Sequence, residues 1–213
     1  MTLQWLGHAC YLLTASNGRT LLMDPFDESV GYPMPEINAD VVTCSHNHHD
    51  HYGIDRVHSG YTLIKQPGEH HTQGFVIEGI TSFHDDEGGI KRGRNIIYLV
   101  QIDGLRIAHL GDIGHLLTQA QIEKLSNVDV LLVPVGGFYT VDADQAAAIV
   151  RSITPRIAIP MHYKTKYIDS KKNPIEDETA FAAQFTNIVP DTNTLTITPG
   201  TLDDYPEVVV LSC

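Results

Sequence analysis

The chain has 213 residues, with 26 Asp and Glu against 14 Lys and Arg, a formal net charge of −12, and 42% hydrophobic residues. That length fits one domain with a sizeable core, and the acidic balance argues against a nucleic-acid partner, because binding a phosphate backbone requires clustered Lys and Arg. No run approaches the roughly 20 apolar residues of a membrane span, the start at Met1-Thr2-Leu3-Gln4-Trp5 has no signal-peptide pattern, and Cys10, Cys44 and Cys213 have neither paired nor zinc-knuckle spacing, so the expectation is a cytoplasmic protein with reduced thiols.

Taken in chain order, Trp5-Leu6-Gly7-His8-Ala9-Cys10 opens the fold, and Thr20-Leu21-Leu22-Met23 reads as a strand delivering Asp24-Pro25. Ala39-Asp40-Val41-Val42-Thr43-Cys44 reads as a buried strand that leads into His46-Asn47-His48-His49-Asp50-His51. Ile80-Thr81-Ser82-Phe83 ends in His84, Arg106–Gly111 ends in Asp112, and Arg156–Met161 ends in His162. Each is a β-rich run that terminates in a ligand-type side chain, which is how open α/β sheets build sites at strand ends. Between them, Thr118-Gln119-Ala120-Gln121 and Asp142-Ala143-Asp144-Gln145 open helices with capping-box character, and Glu178–Phe185 reads as a third helix. The Gly-rich pieces Glu87-Gly88-Gly89 and Val135-Gly136-Gly137 read as tight turns. No linker, repeat or low-complexity tract divides the chain, so a single domain is expected over 1–213.

The window 46–51 carries the chemistry. Three imidazoles and a carboxylate at i, i+2, i+4 and i+5 suit a metal such as zinc, manganese or iron. In a loop leaving a strand, His46 and His48 can converge on one ion while Asp50 and His51 turn towards a second; His49 then faces solvent. Asp24 sits where a carboxylate could accept the other ring N–H of a ligating histidine and fix its tautomer. His8 either faces this cluster or is a hydrogen-bonded core histidine. His58, His70 and His71 lie among polar residues and read as surface positions. A nucleophilic Ser, Cys or Lys is not required, and neither a Gly-x-Ser-x-Gly elbow nor a phosphate-binding loop is present.

The order Asp24, the 46–51 cluster, His84, Asp112 and His162 resembles the metallo-β-lactamase superfamily, whose signature is His-x-His-x-Asp-His followed by a distant His, an Asp or Cys, and a last His. With Trp5–Cys10 at one end and Pro160-Met161-His162-Tyr163 near the other, it resembles that superfamily's small stand-alone metal-dependent hydrolases over nearly the whole chain. The resemblance implies an αββα sandwich, two facing mixed sheets with helices on the outer faces. It also implies a centre of two divalent ions, zinc foremost, with His46, His48 and His84 on the first, Asp50, His51 and His162 on the second, Asp112 bridging, and a shared water or hydroxide as the remaining ligand. Asp50, Asp112 and His162 are the catalytic positions on this reading. Many antibiotic-hydrolysing relatives carry Cys where this chain has Asp112, so a small, anionic ester, lactone, thioester or phosphodiester is the expected substrate.

His109 competes with His84 for the third ligand position. It lies only three residues before Asp112, and strand alternation pairs it with Ile107, so a supporting role is expected for it. Candidate substrate contacts are Tyr139 as a hydrogen-bond donor, Tyr163 and Lys164 beside His162, Arg92 in Lys91-Arg92-Gly93-Arg94-Asn95 as an anion-binding group, and His115 lining the pocket. A non-catalytic metal-binding or interaction protein is the alternative, and the full ligand set argues against it.

Overall fold

The computed structural model describes residues 1–33, 36–58 and 60–212, which leaves Cys213 outside the described residues. In chain order the elements are β1 (Thr2–Gly7), β2 (Cys10–Thr14), β3 (Thr20–Met23), β4 (Val41–Thr43), β5 (Thr62–Ile64), β6 (Gly68–Thr72), β7 (Phe75–Phe83), β8 (Arg94–Ile102), β9 (Leu105–His109) and α1 (Gln119–Lys124). There follow β10 (Val130–Pro134), α2 (Ala143–Ile153), β11 (Ile157–Met161), α3 (Thr179–Ala182), β12 (Asn187–Ile188), β13 (Thr194–Thr196) and β14 (Val208–Val209).

Two mixed sheets result, ordered β13-β1-β2-β3-β4-β5 and β12-β14-β11-β10-β9-β8-β7-β6. In the first, period-two alternation sorts side chains between faces: Tyr11, Leu13, Leu21, Met23 and Val41 enter the core shared with the second sheet, while Cys10, Leu22 and Val42 point the other way. The phenol of Tyr98 on β8 ties the sheets together by donating to the carbonyls of Cys44 and Ile64, both at 3.1 Å.

Both capping boxes form as expected, Thr118 with Gln121 on α1 and Asp142 with Gln145 on α2. The apolar side of α2, including Ala146, Ile149, Val150 and Ile153, is buried against the second sheet. Two expectations change. The third helix is a single turn, Thr179–Ala182, because the amides of Gln184 and Phe185 bond three residues back rather than four. Among the described residues the outer face of the first sheet carries no α-helix; Phe26, Val30, Tyr32, Ile37, Val57, Ile168 and Ile175 cover it from loops and short 3₁₀ turns.

Strand direction decides where the site lies. β3 is antiparallel to β2, as β1 is, and parallel to β4, so β1, β3 and β4 all run one way. In the second sheet β7, β9, β10 and β11 likewise share a direction. His8, Asp24, His46, His84, Asp112 and His162 all lie just beyond the C-terminal ends of these strands, so both sheets deliver their donors to one end of the sandwich.

Candidate metal centre

Seven side chains expected to hold metal meet at that end. His46 Nε2 lies 3.0 Å from His48 Nδ1, and the donor atoms of His46, His48 and His84 fall within 4.8 Å of one another, as do those of His8, Asp50, His51 and His162. Asp112 stands between the groups: its Oδ2 is 3.2 Å from both His84 Nε2 and His162 Nε2, and its Oδ1 is 3.1 Å from His51 Nε2. Atoms sharing one tetrahedral ion with bonds of 2.0–2.1 Å sit about 3.4 Å apart, so this spacing fits common metal ligation. His51 Nε2 and Asp112 Oδ1 are moreover buried and have no hydrogen-bond partner, which a bound cation would supply.

The surrounding hydrogen bonds aim these groups. The Asp24 carboxylate accepts from His51 Nδ1 at 2.6 Å, from the Ser45 amide at 2.8 Å and from the Ser45 hydroxyl at 2.5 Å, so that in the neutral, metal-ligating form of His51 the lone pair is on Nε2. Asn95 Oδ1 accepts the Asp112 amide at 3.0 Å while its Nδ2 donates to the Leu110 carbonyl and to Ser82 Oγ, so one buried side chain sets the path into Asp112. His109 donates to the Ala9 carbonyl at 2.8 Å through Nε2 and accepts the Gly111 amide at Nδ1 at 3.0 Å. Both ring nitrogens are thereby used, and His109 supports the centre through the backbone while His84 faces it.

Three site residues hold left-handed backbone: His8 (φ 52°), Asp24 (φ 47°) and His162 (φ 52°). For non-glycine residues this conformation is unfavourable and concentrates at functional sites. The His8 turn is held by two donors to its carbonyl, Trp5 Nε1 at 3.0 Å and the His162 amide at 3.1 Å. Its ring packs 4.1 Å from that of His162, and its Nε2 lies 3.3 Å from Asp50 Oδ2, so His8 faces the cluster.

Burial and neighbouring charge set the protonation states. Burial is the main force pushing His46 down to about 3, with His51 adding to it, and burial followed by His162 brings His8 to about 4. Neutral imidazoles are the forms that ligate metal. Burial opposes the charge on Asp112, but His162 and His51 outweigh it and hold the carboxyl well below its ordinary value.

Two cavities flank the cluster. One, of about 270 Å³, is bounded by His8, Asp50, His162, Val30, Ile168 and Ile175; the other, of about 560 Å³, by His48, His84, Asp112, Lys91 and Arg92. Asp50 and Tyr139 line both, which places two of the expected substrate contacts, Tyr139 and Arg92, at the cluster's mouth. Three others lie away from it. Tyr163 is buried in the core, stacked 5.5 Å from Trp5. Lys164 is exposed and lies outside both cavity walls. His115 has both ring nitrogens on backbone groups, Nδ1 donating to the Leu116 carbonyl and Nε2 accepting the Phe83 amide. Conversely, Ser45, Asp85, Asn95, Ile168 and Ile175 did not stand out in the sequence, since isolated small polar or aliphatic residues carry no spacing signal.

Comparison with known proteins follows the same line. The profile of a family described as "Beta-lactamase superfamily domain" matches residues 2–162. A UPF0173 metal-dependent hydrolase from Archaeoglobus fulgidus is 30% identical over 196 residues, covering 78% of this chain and 84% of that protein. A crystal structure of a candidate Zn-dependent hydrolase of the metallo-β-lactamase superfamily from Thermotoga maritima superposes with a TM-score of 0.81 at 36% identity, covering 99% of this chain and 97% of the other. An isothiocyanate hydrolase from Delia radicum gut bacteria shares the fold alone, with a TM-score of 0.63 at 15% identity over 93% of this chain and 99% of the other.

Proposed function

The chain belongs to the β-lactamase superfamily domain family and is a metal-dependent hydrolase of that superfamily; from that premise we propose that it uses a dinuclear centre, with zinc as the working metal, to cleave a small ester, lactone, thioester or phosphodiester. The observation that carries this reading is Asp112, whose two oxygens reach His51, His84 and His162 at 3.1–3.2 Å and so span both donor groups. His46, His48 and His84 are assigned to one ion, Asp50, His51 and His162 to the other, and Asp112 to both. Divalent ions held there would acidify water and polarise the scissile carbonyl or phosphoryl oxygen.

The chain's own residues then orient and bind. Asp24 fixes the His51 tautomer, Asn95 holds the Asp112 backbone, and Tyr139, shared by both cavities, is placed to donate to an oxygen that gains charge during cleavage. The preference for these substrates over β-lactams rests on the resemblance, in which many antibiotic-hydrolysing relatives carry Cys at the position of Asp112. One core cluster runs from Met1 to Leu211, which supports a single domain. No helix among the described residues is long and apolar enough to cross a membrane, and the buried, unpaired Cys10 and Cys44 suit a reducing cytoplasm.

The test is metal analysis joined to a panel of chromogenic esters, lactones, thioesters, phosphodiesters and β-lactams. Close to two divalent ions per chain are expected, with turnover of at least one oxygen or thioester class abolished by Asp112→Ala or His162→Ala in folded protein. One ion or none after reconstitution would refute the dinuclear assignment, and β-lactam turnover alone would refute the substrate reading.

A further inference from the structure

The loop that follows His84 is wound around one buried carboxylate. Asp85 Oδ1 accepts the amides of Glu87 and Gly89 at 2.9 and 2.8 Å, and Oδ2 accepts those of Lys91 and Arg92 at 3.0 and 2.8 Å. The Arg92 side chain leaves this loop over the Tyr139 ring, 5.0 Å from its centroid, and donates to the Phe138 carbonyl at 2.6 Å. Neighbouring Lys91 is paired with Glu87 at 2.7 Å. Arg92 has no carboxylate partner among the described residues, although the chain carries a net charge of −12. A half-buried guanidinium, fixed at both ends and left without a counter-charge beside His84 and Asp112, is a prepared receptor for an anion.

The cavity on the other side of Asp50 differs in chemistry. Val30, Ile168 and Ile175, each under 8% exposed, form an apolar wall, and the exposed Lys172 stands at its margin. The two cavities meet at Asp50 and Tyr139, so a ligand whose scissile bond lies over the donor cluster has one end directed to each.

We propose that the substrate is an amphiphilic ester, its anionic group held by Arg92 and its apolar arm seated against Val30, Ile168 and Ile175, with Asp85 as the residue that positions Arg92. This assignment rests on the hydrolase reading above. Monoalkyl succinates carry both features about one ester bond, and alkyl butyrates are their uncharged counterparts. With metal-loaded enzyme, kcat/KM rises from monomethyl to monohexyl succinate, by up to about fourfold per methylene until the wall is covered. Arg92→Ala lowers the ratio of kcat/KM for monohexyl succinate over hexyl butyrate about tenfold or more. Asp85→Asn lowers the same ratio, whereas Ile168→Ala lowers the hexyl-to-methyl ratio within the succinates.

Calorimetric binding of N-hexylsuccinamate, the amide analogue, separates this proposal from the hydrolase reading. Binding that depends on chain length and on Arg92, with no ester turned over, would uphold the seating of the anionic group on Arg92 and of the apolar arm on Val30, Ile168 and Ile175 while refuting ester cleavage as the reaction. Binding indifferent to chain length, or equal losses for charged and uncharged esters in Arg92→Ala, overturns the proposal.

Discussion

Replacing Asp24 by asparagine keeps the shape of the side chain and exchanges one oxygen for an amide nitrogen, so the variant isolates what that carboxylate does. In the native site Oδ2 accepts from both His51 Nδ1 and Ser45 Oγ, and Oδ1 accepts the Ser45 amide. The substituted carboxamide has only one oxygen. If that oxygen stays on the Ser45 amide, its NH₂ faces His51 Nδ1, and the ring must move its proton to Nε2, the atom 3.1 Å from Asp112. If the carboxamide flips instead, two N–H donors oppose one another inside a fully buried pocket. The first outcome removes the His51 lone pair, and loss of such an orienting carboxylate typically weakens metal affinity about 10–100-fold, or roughly 1.4–2.8 kcal/mol. The second leaves a buried donor unsatisfied at about 1–3 kcal/mol, which in a chain of this size lowers Tm by about 2–12 °C. Burial works to raise the Asp24 carboxyl, but His109, His51 and Ser45 together hold it below its ordinary value, so the carboxylate is charged throughout the neutral range. Chelator-competition titration with zinc, read beside thermal unfolding of the metal-free protein, measures both quantities. Ser45→Ala, which spares the His51 contact, should perturb metal affinity less. Wild-type affinity for both ions in Asp24→Asn would refute the tautomer argument.

Three further expectations follow from the packing and charges. His109→Ala should retain close to two metals per chain while losing about 2–5 kcal/mol of stability, since it empties a buried site and strands the Ala9 carbonyl and the Gly111 amide; metal loss as complete as in His84→Ala would reverse the ligand assignment. Gly114→Ala should impair folding or metal uptake, because a Cβ there would lie 2.5 Å from the Asp85 nitrogen and the His84 carbonyl carbon, and wild-type Tm with full metal content would contradict this. Asp40 is held below its ordinary range by the Thr20 amide and Arg19. Its folded-state value is depressed, so its contribution to stability is present above about pH 4 and lost as pH falls below it; urea midpoints across pH 2–6 should be flatter at the acid end in Asp40→Asn than in the native protein.

Sequence alone marked the candidate donor set and its order along the chain. Dense His and Asp residues in one window, and single ligand-type residues at the ends of apolar runs, are legible because metal ligation restricts residue type and strand ends restrict position. The two capping boxes are legible for the same local reason, each lying within four residues of chain. What only the tertiary structure decided depends on contacts between distant segments. The choice of His84 over His109 became physical when the carbonyl of Ala9, one hundred residues away, accepted the hydrogen bond from His109 Nε2. Tyr163 and Lys164 follow His162 in sequence, yet the left-handed turn at His162 and packing on Trp5 send one into the core and leave the other outside both cavities. The walls of those cavities, Val30, Ile168 and Ile175 on one side and the Asp85-wound loop on the other, come from segments that share no motif, because a side chain's role as a wall is set by which loops cover the outer face of the first sheet and by which amides a buried carboxylate gathers.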